Sequence, residues 1–448
     1  MTQPPFGFGF GLPNEDPSDR SGRGDGVPGM PAGFDMNQLG AMFSQLGAMM
    51  SSATPSAGPV NYDLARKLAV QQLGSTHPVA GVDVAAVRDA IALAEVWTEG
   101  ATSFPAASRT VTAWTPREWV EQTMPNWQKL VAPIADRMGG ALVETLPEEM
   151  RAQAGPMLGM LSQMGGMAFG SQLGAALSQL AGEVLTSTDI GLPLAPAGTA
   201  ALMPRAVAEF GTSLGLEEDQ VRLFLAAREV AHLRLYHGVP WLADKIVAMV
   251  ADYAANISVD MSAAEELASS FDPTDMAALQ QQLAQGMMAP KPTPTQEAIA
   301  QRLETLLALV EGWVDTVVGA AIGDRLPGGS ALSETLRRRR ATGGPAEQTF
   351  ASLIGIELRP RKLRAAAGLW RDLTESRGVD GRDSFWSDYD LLPTSNDLDK
   401  PDEFVARDKQ FNEQLAGLGV DDLTAADFAD DPSTEPTTDE GTDGPAKA

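Results

Sequence analysis

The chain has 448 residues, of which 44% are hydrophobic and 21% charged, with no cysteine and a formal net charge of −26. That balance suits one large globular domain or two ordinary ones, and the missing thiols exclude disulfides, thiolate metal sites and cysteine nucleophiles. So acidic a chain argues against general nucleic-acid binding, which needs Lys and Arg in excess, and the lack of cysteine fits a reducing, cytoplasmic setting.

The N-terminus, Met1-Thr2-Gln3-Pro4-Pro5-Phe6-Gly7, lacks the basic start and continuous apolar run of a signal peptide. Residues 1–58 are rich in Gly, Pro, Met, Asp and Ser and read as disordered. Within them, Met36 to Met50 could form a helix with Leu39, Met42, Phe43, Leu46 and Met50 near one face. Its Ser44-Gln45-Leu46-Gly47-Ala48 recurs as Ser171-Gln172-Leu173-Gly174-Ala175. Two copies of so short a string read as small-residue packing segments, with a self-docking or partner-docking helix as the alternative.

From Asn61 to about Arg340 the apolar period is helical almost throughout. Tyr62 to Leu73 and Ala85 to Val96 are two such segments, and Pro116 to Met138 turns Trp119, Trp127 and Leu130 toward a core. Ser108 to Ala113 is a strand candidate. The uncharged run between Arg151 and Glu183 carries too many Gln and Gly residues for a membrane span. It reads as a buried, Met-rich hairpin or helix pair, so no transmembrane segment is expected. A helix over 217–237 opens on Glu217, Glu218 and Asp219, which suit the positive end of a helix dipole. Another follows over 296–322. The basic run Arg337 to Arg340 closes a helix before the turn at 341–344, as dipole complementation. A C-terminal subdomain spans 346–407. Residues 408–448 form an acidic tail, with nine Asp or Glu against one Lys from Gly419 on, and read as disordered.

Residues 228–232 read Arg-Glu-Val-Ala-His, one substitution from the His-Glu-x-x-His signature of zinc peptidases. Side chains four apart on a helix share a face and can meet one metal, while the Glu beside the first ligand reaches the metal-bound water as general base. A third ligand comes from elsewhere. Glu311 is the acidic residue inside the apolar run Leu306, Leu307, Leu309 and Val310, and it needs a polar partner there. Other templates are missing: there is no Gly-x-Ser-x-Gly elbow and no phosphate-binding Gly-x-x-x-x-Gly-Lys-Ser/Thr loop. Gly7, Gly9 and Gly11 lack the strand and helix that a dinucleotide site requires.

These residues, with Val239-Pro240-Trp241-Leu242, resemble an actinobacterial zincin-like family long labelled a domain of unknown function. Its members are described as zinc-dependent metalloproteases or hydrolases, and one branch is named for deazaflavin biosynthesis. The resemblance extends over most of residues 60–407. It takes in Ala94-Glu95-Val96-Trp97, Glu118-Trp119-Val120, Leu309-Val310-Glu311-Gly312, Leu353-Ile354-Gly355-Ile356-Glu357-Leu358 and Leu392-Pro393-Thr394. Pro5-Phe6-Gly7-Phe8-Gly9 is similar to the branch whose motif often reads Arg-Glu-x-x-His. By position, the resemblance implies His232 as second zinc ligand, Glu229 as general base and Glu311 as third ligand, with Arg228 where the first ligand stands.

An arginine has no free lone pair for zinc and stays protonated. It can instead balance Glu229 and Glu311 as an ion-pair network holding the two helices in register. His237 lies about 140° round the helix from His232, and His77 sits in a loop-like stretch without partners nearby in sequence. The expectation is a mainly α, zincin-like helical domain over 59–407 with disordered ends. Functionally, it is a zincin with a degenerate motif, catalytically silent and binding a protein or peptide. The alternative is an active metallohydrolase that cleaves peptide bonds through Glu229 with an unusual zinc ligand set.

Overall fold

A computed structural model describes residues 60–144, 155–257, 293–341, 351, 353 and 362–417. Among these residues the chain forms twelve α-helices, two strands and three short 3-10 turns. The first half runs α1 (Tyr62–Leu73), α2 (Gly81–Thr98), β1 (Thr110–Ala113), α3 (Pro116–Glu144), α4 (Gly155–Ala181), β2 (Thr199–Leu202) and α5 (Pro204–Leu214). The second half runs α6 (Glu218–Gly238), α7 (Trp241–Ala255), α8 (Pro294–Ile322), α9 (Gly329–Ala341), α10 (Leu363–Asp383), α11 (Ser395–Asp399) and α12 (Pro401–Gly417).

Local chemistry sets where the helices begin. Asn61 Oδ1 accepts from the Leu64 amide at 2.9 Å and caps α1. At α8, Thr293 and Gln296 form a reciprocal capping box with Pro294 in the first turn, so two otherwise unpaired amides find partners. Helix α8 is long and apolar enough to cross a membrane by composition, but 78% of its most apolar window is buried inside the fold. That is the pattern of a core helix.

Helix α6 is central. Its residues from Phe224 to Leu235 are buried without interruption, because α2, α5, α8, α9 and β2 all pack against it. A stretch so enclosed leaves its ionisable residues little water, so Arg228, Glu229, His232 and Arg234 each find partners on neighbouring elements. Helix α8 packs on α2, α6, α7 and α10. Its approach to α10 is set at Gly312, where a Cβ would fall 2.7 Å from Ala366 Cβ and 2.7 Å from the Ala367 amide nitrogen. Gly174 does the same for α4 against α1, where a Cβ would lie 2.6 Å from the Ala65 carbonyl oxygen.

Several expectations change. The Met-rich run is one helix, α4, where a hairpin or helix pair was expected; its interior glycine at 174 provides close packing, not a turn. The expected strand shortens to Thr110–Ala113 and pairs in parallel with β2, register Thr110↔Thr199 to Ala113↔Leu202. Strand β2, Thr-Ala-Ala-Leu, carries little β signal of its own and is held by burial of all four residues. The last helix runs to Gly417, ten residues past the expected boundary at 407. Arg377 bonds Asp408 at 3.0 Å and Asn412 at 3.3 Å, fixing that end to α10. Residues 1–59 and 418–448 lie outside the described residues. With them lie the expected disordered ends, the Met36–Met50 helix, the first copy of the five-residue string and the Pro5–Gly9 match.

Candidate functional site

Arg228 and His232 lie four apart on α6 and face Glu311 of α8. Arg228 Nη2 donates to Glu311 Oε2 at 2.6 Å, and His232 Nε2 lies 3.0 Å from Glu311 Oε1. His232 Nδ1 meets the Arg228 carbonyl oxygen at 2.9 Å. A carbonyl only accepts, so Nδ1 carries a proton. All three residues are buried, with side-chain exposures of 9% for Arg228 and 2% for both His232 and Glu311.

The structure therefore brings Arg228, His232 and Glu311 together and takes Glu229 elsewhere. Glu229 is fully buried, and its Oε1 accepts from Ser187 Oγ and from the Ala201 amide at 3.3 Å. Its Oε2 accepts from the Thr188 amide at 3.1 Å and Thr188 Oγ1 at 2.6 Å. These bonds tie α6 to β2 and to residues 186–188, where Thr186 bridges Leu202 on the side of β2 away from β1. Arg228 was expected to balance both carboxylates, but it pairs with Glu311. Hydroxyl and amide donors satisfy Glu229, since consecutive helical residues point about 100° apart.

A second arginine on α6 follows the same logic. Arg234, 2% exposed, donates through Nε to Glu95 Oε2 at 2.9 Å, through Nη2 to the Glu95 carbonyl at 3.1 Å and through Nη1 to the Phe104 carbonyl at 3.0 Å. The sequence reading did not single out Arg234, Ser187 or Thr188. Arg234 lies six residues beyond Arg228 inside an apolar run, and that burial was the available signal. Ser187 and Thr188 sit 41 to 42 residues from Glu229 and gave none. His237 and His77 are both exposed and far from burial of this kind.

A sequence model of the zincin-like metallopeptidase family matches residues 60–405. The chain belongs to that family. A solved structure from Chloroflexus aurantiacus, described as a candidate hydrolase with a novel fold, superposes with a TM-score of 0.53 at 19% identity. The match covers 78% of this chain and 98% of that one. At that identity the likeness speaks for the fold. A comparison with curated proteins finds no match.

Zincins hold their metal through side chains, so the set expected here from the resemblance, position 228 with His232 and Glu311, can be tested against zinc. A catalytic zinc takes three protein ligands and an open fourth position. Here His232 Nε2 and both Glu311 oxygens are already engaged, and the third position presents a cation. Among the described residues no group of three or more His, Asp or Glu side chains gathers where it could hold a metal ion. The residues present do not fit the ion.

Proposed function

We propose that this zincin-like chain is a catalytically silent member of its family, in the branch whose motif reads Arg-Glu-x-x-His, and that it acts as a protein- or peptide-binding module. The observation that carries this reading is the 2.6 Å bond from Arg228 to Glu311. On this reading Arg228 is a fixed cation at the position expected for the family's first ligand, and it engages a carboxylate oxygen that a metal would use. Glu229 supports it further, because four hydrogen bonds from protein groups saturate its carboxylate and leave it poorly placed to take a proton from water. The family's usual activity, hydrolysis of peptide bonds with zinc, is the reading this one replaces.

Metal analysis of protein purified without added zinc, beside Arg228→His prepared identically, tests the reading. Wild type should carry far less than one zinc per chain, and Arg228→His should gain zinc, because the histidine restores the His-Glu-x-x-His spacing on an unchanged helix. Stoichiometric zinc in wild type, or a chelator-sensitive peptidase activity lost in Glu229→Gln, would overturn it.

A further inference from the structure

The guanidinium of Arg228 has more to give than Glu311 takes. An arginine carries five N–H donors in a planar fork. Here Nη2 bonds Glu311 Oε2, and among the described residues Nε and Nη1 donate to nothing. The side chain is nine-tenths buried, with 9% exposure, yet neither nitrogen is sealed from solvent as an unpartnered buried atom. Glu311 does not answer these donors: it meets the fork through Nη2 alone, and its Oε1 faces His232. Nor can Glu229, the acidic neighbour in sequence, whose two oxygens are held by Ser187, Thr188 and Ala201.

From this geometry we infer a carboxylate-binding site at Arg228, whose ligand is the free carboxylate of a peptide. A planar carboxylate matches the paired N–H groups of a guanidinium edge, and such charge-assisted bonds strengthen where water is scarce. A single negative charge suits the place better than a phosphate dianion, because Glu311 lies beside it and repels a second charge. The cation at the family's metal position thus turns a site for a metal into a receptor for an anion. This inference rests on the proposed function, in that Arg228 must occupy the site without a metal.

The test is calorimetric titration of the full chain, at constant ionic strength, with N-acetylglycylglycine and separately with its C-terminal amide. The free acid should bind one per chain, and the amide about tenfold more weakly or worse, the cost of losing a bond between charged groups. Arg228→Lys keeps the charge without the fork, and should weaken the acid by about tenfold. Equal binding of acid and amide, no binding of the acid, or an Arg228→Lys affinity equal to wild type would overturn the inference. Zinc is measured on the same sample. A zinc-bearing wild type fails the proposed function, while a zinc-free protein indifferent to the acid fails the carboxylate site alone.

Discussion

The chemistry of this molecule turns on one buried carboxylate, Glu311, answered by two groups from a single helix. Burying an ion pair gains little over apolar packing, but breaking one leaves an uncompensated charge. Arg228→Met, close in shape and without charge, should lower unfolding stability by about 3–5 kcal/mol, read from denaturant melts. Adding Glu311→Gln should recover part of that loss, since the two residues share one bond and their effects are not additive. A double variant no more stable than Arg228→Met would show that the pair is not the coupling unit. The pairing itself was half legible. Helix spacing put Arg228 and His232 on one face and an apolar run marked Glu311 as needing a polar partner, while their meeting was what the family resemblance implied. The partner of Glu229 did not follow, because donors 41 to 42 residues upstream in a region without regular pattern leave no periodic trace.

Between elements, the registry of α6 against α8 depends on how closely α8 and α10 approach behind it. Gly312 follows Glu311 directly, so the backbone contact at Ala366 and Ala367 fixes the depth at which that carboxylate sits. Gly312→Ala should destabilise by about 1–3 kcal/mol, the cost of overpacking, and the gain in helix propensity of about 1 kcal/mol does not offset a clash with backbone. Thermal melts of this variant check the point, and an unchanged midpoint would place the contact among those that relax freely. The long helices were the readily legible elements: α1 was read to the residue, and α8 to within two residues at its start. Strand β2 was not, since Thr-Ala-Ala-Leu carries no alternation and is held by the sheet partner and by Glu229. The hairpin expected within 151–183 is one helix over Gly155–Ala181, whose Gly174 serves a close helix contact.

Across the whole molecule, a second buried cluster joins parts of the chain far apart in sequence. Asp383 Oδ2 accepts from Thr102 Oγ1 at 2.7 Å and from the Ser103 amide at 2.8 Å, while Oδ1 accepts from Trp313 Nε1 at 2.8 Å and Arg382 Nε at 2.7 Å. Arg382 also donates to the Ala101 carbonyl at 2.8 Å. The segment after α2, the middle of α8 and the end of α10 thus meet on one aspartate. Asp383→Asn should cost about 3–5 kcal/mol by leaving Arg382 buried without a counter-charge, measured by denaturant unfolding. A cost below about 1 kcal/mol, the scale of an ordinary hydrogen bond, would reduce the cluster to local importance. Nothing in the sequence marked it, because an adjacent Arg-Asp pair near a helix end reads as surface. Gly378, at φ 72°, interrupts α10 just before the pair.

Beside that cluster, Trp386 lies between Trp241 and Trp370, with ring centroids 6.4 Å and 5.5 Å away and interplanar angles of 29° and 21°. Indole transition dipoles at such separations couple as excitons, so the near-ultraviolet circular dichroism of the native chain carries a signal that no isolated tryptophan gives. The three rings come from α7, α10 and the 3-10 turn at Ser384–Ser387. The protein therefore contains its own optical gauge of whether its C-terminal part is seated on α7, readable without any label.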